Sequence, residues 1–415
     1  MYNKRIKFII FSMRNLYLKI IIHRRNCMEN KGKVREHGIT LVALVITIII
    51  LLILAGVAIT TLTQTGLFEN AKQAKNATEN AQKEENKILD NYIKQTEIYL
   101  PQEIPQLKDN IGKVLSLTEN TTLQDENGNK VVVPAGFKVV ADDTTNNAKT
   151  VEQGIVVEDE NSNQYVWILC TTNETETILK YKRNEWIVTA NGNTRASKDE
   201  LTLTDAICSN DDIANGLTTE IKNEIAEQIK KEKNSVNKYG GYYIGRYEVG
   251  NENNVAVIKR DQEPYTNIQW YKAYALAKGI GGGVGATTYL CSSYAWDTAI
   301  NFIQNTGTEN YATTREGFNE NWYGEEVKDS LGNVIKVADE PLRLKTGKTT
   351  SKSNIFDMGG NVAEYTTEIV PGASEGIILR GGSFYSTYSP AGCRVNFSIT
   401  SIYDTFGFRA TLFLE

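Results

Sequence analysis

Histidine is almost missing from this 415-residue chain: there are two, His23 and His37, and none after them. Everything beyond residue 37 is therefore without histidine-based catalytic triads or His-rich metal sites. Cysteine is sparse too. Cys27, Cys170, Cys208, Cys291 and Cys393 stand far apart, with no Cys-x-x-Cys pair, so the chain carries no disulfide framework. One or two bridges outside a cell stay open, and spacing alone does not pair them. There is no basic stripe either. With 23% charged residues and a formal net charge of −5, nucleic-acid binding has no support.

What the chain has in excess is one apolar run. Residues 38–59 are broken only by Thr40, Thr47 and Gly56. Roughly 20 such residues are enough for one helix to span a bilayer. Lys31, Lys33 and Arg35 precede the run, against Glu29 and Glu36. Basic flanks stay cytoplasmic, so the N-terminus is expected inside and all that follows residue 60 outside. The expectation is a membrane-anchored protein whose C-terminal part is extracellular.

The same stretch resembles a type IV prepilin N-terminus, with a basic leader, Gly38 as its last residue and Ile39 as the first mature one. The resemblance implies cutting by a prepilin peptidase, methylation of the new amine, and pilin or pseudopilin subunits as partners of the helix, at the cell surface or in a pilus. The fifth mature residue is Ala43, where most prepilins carry Glu. Without that carboxylate the chain fits a minor subunit, at a tip, better than a repeating shaft. An ordinary single-span anchor stays open, as does a secretory signal cut near Ala55-Gly-Val-Ala58. Residues 1–27 hold seven Lys/Arg and no acid, so a start at Met28 would give a leader of ordinary length. Residues 1–38 are read as leader and left out of the fold.

Ala71, Ala74, Ala77 and Ala81 recur at helical spacing, so 39–100 is expected as one long helix, apolar to about 59 and amphipathic with one packed face beyond it. Pro101 and Pro105 stop it, and 101–129 is expected as a linker. From 130 onward short β-rich runs appear at 130–134, 137–140, 154–157 and 165–169, separated by Asn, Asp and Gly. Ile221, Ile225 and Ile229 mark a helical insertion at about 198–235, whose Lys-rich run 230–234 is expected as a solvated face. Gly279-Ile-Gly-Gly-Gly-Val-Gly285 has no following Lys-Ser/Thr and reads as a flexible loop or hinge.

Five landmarks then follow in order: Gly241-Tyr-Tyr-Ile-Gly-Arg-Tyr-Glu-Val249, Leu290-Cys-Ser-Ser-Tyr-Ala-Trp-Asp297, Asn354-Ile-Phe-Asp-Met-Gly-Gly-Asn-Val-Ala-Glu-Tyr-Thr366, Leu379-Arg-Gly-Gly-Ser-Phe384 and Gly407-Phe-Arg409. Together they resemble the formylglycine-generating-enzyme (sulfatase-modifying factor) family. That implies an α+β fold, a variant of the C-type lectin fold, over 130–415 behind the pilin-like helix. Gly360, Gly381, Gly382 and Gly407 suit tight backbone approach. Asp357 and Asn361 are expected to bond the backbone amides of their own loop. Trp296, Phe356, Tyr365 and Phe408 are expected in the core. Arg380 and Arg409 are expected to pair with carboxylates such as Glu364 or Asp357.

The family's chemistry needs two cysteines in the loop after Gly-Gly-Ser, because only a thiolate serves as nucleophile and soft metal ligand. In an ungapped alignment those positions fall on Ser386 and Ala391, with Cys393 alone two residues on. The expectation is a domain without catalytic residues and without a cofactor. The one ion the wider family admits is calcium, through Asp357 and Asn361.

Residues 384–406 contain no Lys, Glu, Gln, Met or Trp, although Lys and Glu abound elsewhere. Those five residues are the ones that codons ending in a pyrimidine cannot encode. The tract resembles the variable proteins of diversity-generating retroelements, in which a C-type-lectin-fold domain is diversified between a Gly-Gly-Ser and a Gly-Phe-Arg. A Ser/Thr/Tyr-rich strand arising from β-propensity is the plainer alternative. Tyr gives rigid contact area, and Ser and Asn give adaptable hydrogen bonds. The expected ligand-binding residues are Phe384, Tyr385, Ser386, Thr387, Tyr388, Ser389, Asn396, Ser398, Thr400, Tyr403 and Asp404. The expected function is non-enzymatic display of this face to a protein or glycan. The rivals are an exported oxidase using Cys291 and Cys393, and a purely structural minor pilin.

Overall fold

The computed structural model describes residues 41–64, 66–99, 104–141, 149–170, 180–188, 194–198, 218–315, 317–369 and 376–415. Gly38, Ile39, Cys27 and Cys208 lie outside them. The chain divides into two units, Met1–Gln102 and Glu103–Glu415.

The first unit holds α1 (Leu41–Gln64) and α2 (Leu67–Tyr99). The expected single helix is thus broken. Gly66 takes φ +66°, in the left-handed region, and its carbonyl accepts from Asn70 N–H at 2.9 Å to restart the helix. α1 carries no charged residue over 24 positions, and its described side chains, 44–57, are exposed. Among the residues so described, no helix is long and apolar enough to cross a membrane. The side chains described in α2, 69–91, are also exposed.

The second unit starts folding before the expected linker ends. Leu107 sits in a 3-10 turn (Leu107–Asn110) and is buried, and Thr121–Gln124 pairs antiparallel with Lys130–Val133. Residues 104–129 are therefore part of the head: alternate apolar residues such as Leu123 and Val131 leave water together.

Two sheets organise this head. The larger has six antiparallel strands in the order Ala286–Leu290, Ala410–Leu414, Gly241–Gly245, Gln164–Leu169, Val156–Glu158 and Lys138–Val140. The smaller runs Arg394–Phe397, Ile377–Arg380, Ala363–Ile369, Phe406–Phe408, and its last pair is parallel. The strand runs read from the sequence fall where these strands lie. Trp167, Trp270, Trp296 and Trp322 are fully buried, as are Tyr365 and Phe408.

Three helices of the head matter here: α3 (Thr219–Tyr239), α4 (Trp270–Gly279) and α5 (Ser293–Asn305). α3 is no insertion. It packs on the strands at 241–245 and 410–414 through Ile225, Gln228, Glu232 and Val236. Glu232, inside the Lys run expected to be solvated, is fully buried and accepts from Ser292 Oγ, Tyr181 OH and Gln228 Nε2. In the glycine run after α4, Gly282 and Gly285 have no room for a side chain. A Cβ on Gly282 would meet the Ala286 carbonyl at 2.2 Å, and one on Gly285 would meet Asn120 Oδ1 at 2.0 Å. These glycines are there because other chain segments press against them.

Candidate functional site: the 384–406 tract and its buried support

The tract rests on two layers of buried charge. In the first, Arg409 lies between Phe406–Phe408 of one sheet and Ala410–Leu414 of the other. Its Nη2 is 2.6 Å from Glu364 Oε1, and its Nη1 and Nη2 also donate to the carbonyls of Gly245, Phe356 and Asp357. This is one of the ion pairs expected from the sequence. Glu248 and Asp357 are buried nearby, and burial pushes both carboxyls above the usual range; repulsion from Asp357 and Glu364 adds to the rise at Glu248.

In the second layer Arg380 pairs with Asp297 of α5 at 2.6 Å, both without exposure, rather than with Glu364 or Asp357. Glu364, the cross-strand neighbour of Arg380, is taken by Arg409, and Arg380 pairs with the acid of α5 instead. Asp297 also binds Arg394, which lies inside the tract, and Arg394 Nε reaches Glu368 Oε2 at 3.0 Å. Arg183 closes the network on Glu368. Burial would raise the Glu368 carboxyl, yet Arg394, Arg183 and Arg380 hold it below its usual value.

Both ends of the tract are pinned to one short stretch. Phe384 N–H donates to the Asn361 carbonyl at 2.9 Å, and Ala363 N–H donates to the Thr405 carbonyl at 2.8 Å. Gly382 makes the first turn, at φ +72°, and a Cβ there would meet the Ser389 carbonyl at 2.4 Å. Between the pins the chain leaves the scaffold twice. At the first excursion Tyr385 is 63% exposed and Tyr388 62%, with Thr387 exposed beside them. At the second, Tyr403 and Ile402 are each 51% exposed, flanked by Thr400 and Asp404. Between them Pro390, Ala391, Gly392 and Ile399 are buried, and Arg394–Phe397 forms the edge strand on Ile377–Arg380.

Neighbouring segments border each excursion. Tyr323 N–H donates to the Ser386 carbonyl at 3.4 Å, and its ring lies 6.0 Å from that of Tyr385. Arg343 Nη1 donates to the Asp404 carbonyl at 3.1 Å, and Asn267 N–H to that of Tyr403 at 3.2 Å. The tract's surroundings at Tyr323, Arg343 and Asn267 gave no local signal in the sequence.

The expected contact residues divide accordingly. Tyr385, Thr387, Tyr388, Thr400, Tyr403 and Asp404 face solvent. Phe384 does not: it is 5% exposed and packs inward, because its amide is tied to Asn361 directly after the Gly-Gly turn. Ser386 and Ser398 are half-buried and brace their own turns, Ser386 Oγ accepting from Ser383 N–H and Ser398 Oγ from Thr400 N–H. Ser389 is half-buried beneath Gly382. Asn396 sits on the edge strand opposite Ile378, with its Oδ1 buried and without a hydrogen-bond partner.

The two positions expected from the ungapped alignment to answer the family's cysteines are Ser386 and Ala391. Ser386 is bonded in its turn, and Ala391 is buried with its carbonyl accepting from Trp296 Nε1 at 3.0 Å. Among the described residues Cys170, Cys291 and Cys393 are free. Burial pushes the Cys291 thiol well up, away from the thiolate that oxidation chemistry needs. The two residues considered for calcium do not fit an ion. Asp357 Oδ1 accepts from Thr349 Oγ1 at 2.6 Å and Oδ2 from Gly347 N–H at 3.0 Å. Asn361 Oδ1 accepts from Leu344 N–H and Asn321 Nδ2. Their oxygens are struts to other loops, not to the amides of their own loop as expected from the sequence.

Residues 218–412 match the family model described as the sulfatase-modifying factor enzyme 1-like domain, and the match takes in α3. No curated protein matches the chain. Among solved structures, variable protein 1 of Treponema denticola aligns with a TM-score of 0.30 and 20% identity, covering 41% of this chain and 84% of that one. CarF aligns with a TM-score of 0.30 and 14% identity, covering 42% of this chain and 87% of that one.

Proposed function

We propose that this chain is a non-enzymatic ligand-binding protein whose head presents the solvent-facing residues of 384–406 to a protein or glycan. The supporting observation is the division inside that tract. Its scaffold-facing residues are buried or ion-paired, whereas Tyr385, Tyr388 and Tyr403 stand more than half exposed. A large aromatic left in water is a poor choice for stability and a good one for contact. The tract's missing residue types fit diversification of this face by adenine substitution.

The N-terminal segment completes the reading. In the sequence, residues 40–59 carry no charge, and roughly 20 such residues suffice for one helix to span a bilayer. With Gly38-Ile39 before it, the segment serves as a pilin-like anchor that a prepilin peptidase processes. The head is then extracellular, on the surface or in a pilus of minor-subunit type.

Three measurements test this. Mass spectrometry of the N-terminus from native cells should find N-methylated Ile39; an intact leader would overturn the pilin-like anchor. Sequencing around the coding region should find a reverse transcriptase and a near-copy of the segment for 384–406 that differs at adenines; their absence would remove diversification. For binding itself, a glycan array and surface extracts are probed with the full chain and with its Tyr385→Ala/Tyr388→Ala/Tyr403→Ala variant. Any signal should disappear in the variant while the fold is retained.

A further inference from the structure

A segment outside the 384–406 tract, 339–343, borders both of its excursions. At one end Asp339, at φ +63°, donates its N–H to the Tyr323 carbonyl at 2.8 Å, beside the Tyr385 ring. At the other, Arg343 Nη1 donates to the Asp404 carbonyl at 3.1 Å and to Thr266 Oγ1 at 2.9 Å. At about 3.8 Å per residue, the stretch between these ends spans at most about 15 Å. It is fixed from beneath. Asn321 Nδ2 donates to the Leu342 carbonyl at 2.9 Å, and the Asn361 side chain holds Leu344 at its N–H and its carbonyl, at 3.0 and 3.1 Å. The Asn361 carbonyl also accepts the Phe384 amide, so one residue positions both this wall and the entrance of the tract.

The wall offers water both apolar and acidic groups. Val337, just before it, is 54% exposed, Leu342 within it 38%, and Ile402 of the tract 51%. Asp339, Glu340 and Asp404 are exposed, and no described cation pairs with their side chains. The cations at hand are turned to the protein itself. Lys336 donates inward to the carbonyls of Trp322, Tyr323 and Glu325, Arg315 reaches the Ser386 carbonyl at 3.4 Å, and Arg343 faces Glu263 at 3.9 Å. Branched aliphatic side chains gain by meeting apolar surface and little by meeting a hydroxylated sugar. Stable protein interfaces take roughly 20–30 residues a side, more than the outward residues of the tract supply.

We propose that the binding face is the tract and this wall together, and that its occupant is a protein surface with an apolar knob ringed by lysine or arginine. This rests on the binding role proposed for the tract and decides between the two ligand classes left there. The aliphatic wall meets the knob, and the unpaired carboxylates of Asp339, Glu340 and Asp404 meet its basic ring. Tyr385, Tyr388 and Tyr403 then choose among knobs of that kind.

The test is selection of phage-displayed, disulfide-constrained peptides on the purified full chain in detergent micelles, with counter-selection on the Tyr385→Ala/Tyr388→Ala/Tyr403→Ala variant. Enriched peptides should combine Leu, Ile or Phe with Lys or Arg. Synthesised and titrated by calorimetry, they should bind the Leu342→Ala chain more weakly, by about fivefold or more. Asp339→Asn/Glu340→Gln should also weaken them and flatten their salt dependence between about 50 and about 500 mM sodium chloride. Leu117→Ala, exposed at a separate cleft, should bind like the parent. Peptides that need the tyrosines yet bind both wall variants like the parent would overturn the wall and leave the role of the tract standing. Enrichment of acidic peptides would overturn the basic partner. No enrichment over the tyrosine variant would overturn a protein occupant, and a positive glycan array beside it would assign the face to a sugar.

Discussion

Arg409 and Glu364 form a bidentate ion pair shut off from water, at 2.6 Å from Nη2 to Oε1 and 3.0 Å from Nε to Oε2, at the point where the chain passes from the small sheet to the large one. Removing one partner strands the other charge in the interior. Arg409→Met should therefore cost about 3–5 kcal/mol, whereas the double change Arg409→Met/Glu364→Leu should cost clearly less. Urea unfolding of both variants checks this; equal losses would mean that the packing of the long arginine stem, not the pair, dominates.

The tract should separate into residues that matter for shape and residues that do not. Tyr385→Ala and Tyr388→Ala should each change stability by no more than about 0.5 kcal/mol, as exposed substitutions do. Tyr403 packs edge-on to Phe406 and Phe397, so its replacement by Ala should cost about 1 kcal/mol. Phe384→Ala, three residues from Gly381 in the same landmark, should cost about 3 kcal/mol because it empties a core site. Thermal melting of the four single variants gives the comparison.

Arg394 stands inside the tract yet belongs to the scaffold through Asp297 and Glu368. Arg394→Ala should lose about 3 kcal/mol, since it leaves two carboxylates facing Arg380 and Arg183 alone. If the tract is diversified, natural copies should vary at Tyr385, Tyr388 and Tyr403 while keeping arginine at 394. Deep sequencing of the locus reads this directly.

Glu232 makes stability depend on pH. Burial raises its carboxyl from 4.5 to about 7, against the hydrogen bonds from Ser292, Tyr181 and Gln228 and the nearby charge of Lys233. The folded protein thus holds this proton more tightly than the unfolded chain. Its contribution is complete below about pH 4.5 and fades as pH rises through about 7. Going from about pH 5 to about pH 8, the parent should lose stability relative to Glu232→Gln, by roughly 3 kcal/mol at most. A flat difference between the two across that range would show that Glu232 stays ionised throughout.

Much of the head could be read before its structure was known, and the reasons are local. Gly-Gly pairs and the Val-rich strand runs act over a few residues. Arg409 stood next to its own landmark, and its partner was among the acids considered. Arg380 was misassigned because Asp297 approaches across 83 residues of chain, a closeness set by how α5 packs. Glu232 looked solvated because three lysines surround it in sequence, yet helical periodicity turns it, with Ile225 and Val236, toward the sheet. The linker reading failed at Leu107 and Leu123, where two single apolar residues, too few to form a pattern, are enough to join the core. In the tract, composition marked the segment but not its inward residues: Phe384 and Tyr385 look alike as letters, and only the bond from the Phe384 amide to Asn361 decides which one points in.

That bond and its counterpart at Thr405 have an evolutionary meaning. Because the entrance and exit of the tract are clamped to residues only two apart, exchange of the outward Tyr385, Tyr388 and Tyr403 leaves both ends in place, while Phe384, Ala391 and Arg394 belong to the socket itself. If those outward positions are diversified, a lineage could follow a changing target without having to reinvent the protein that holds them.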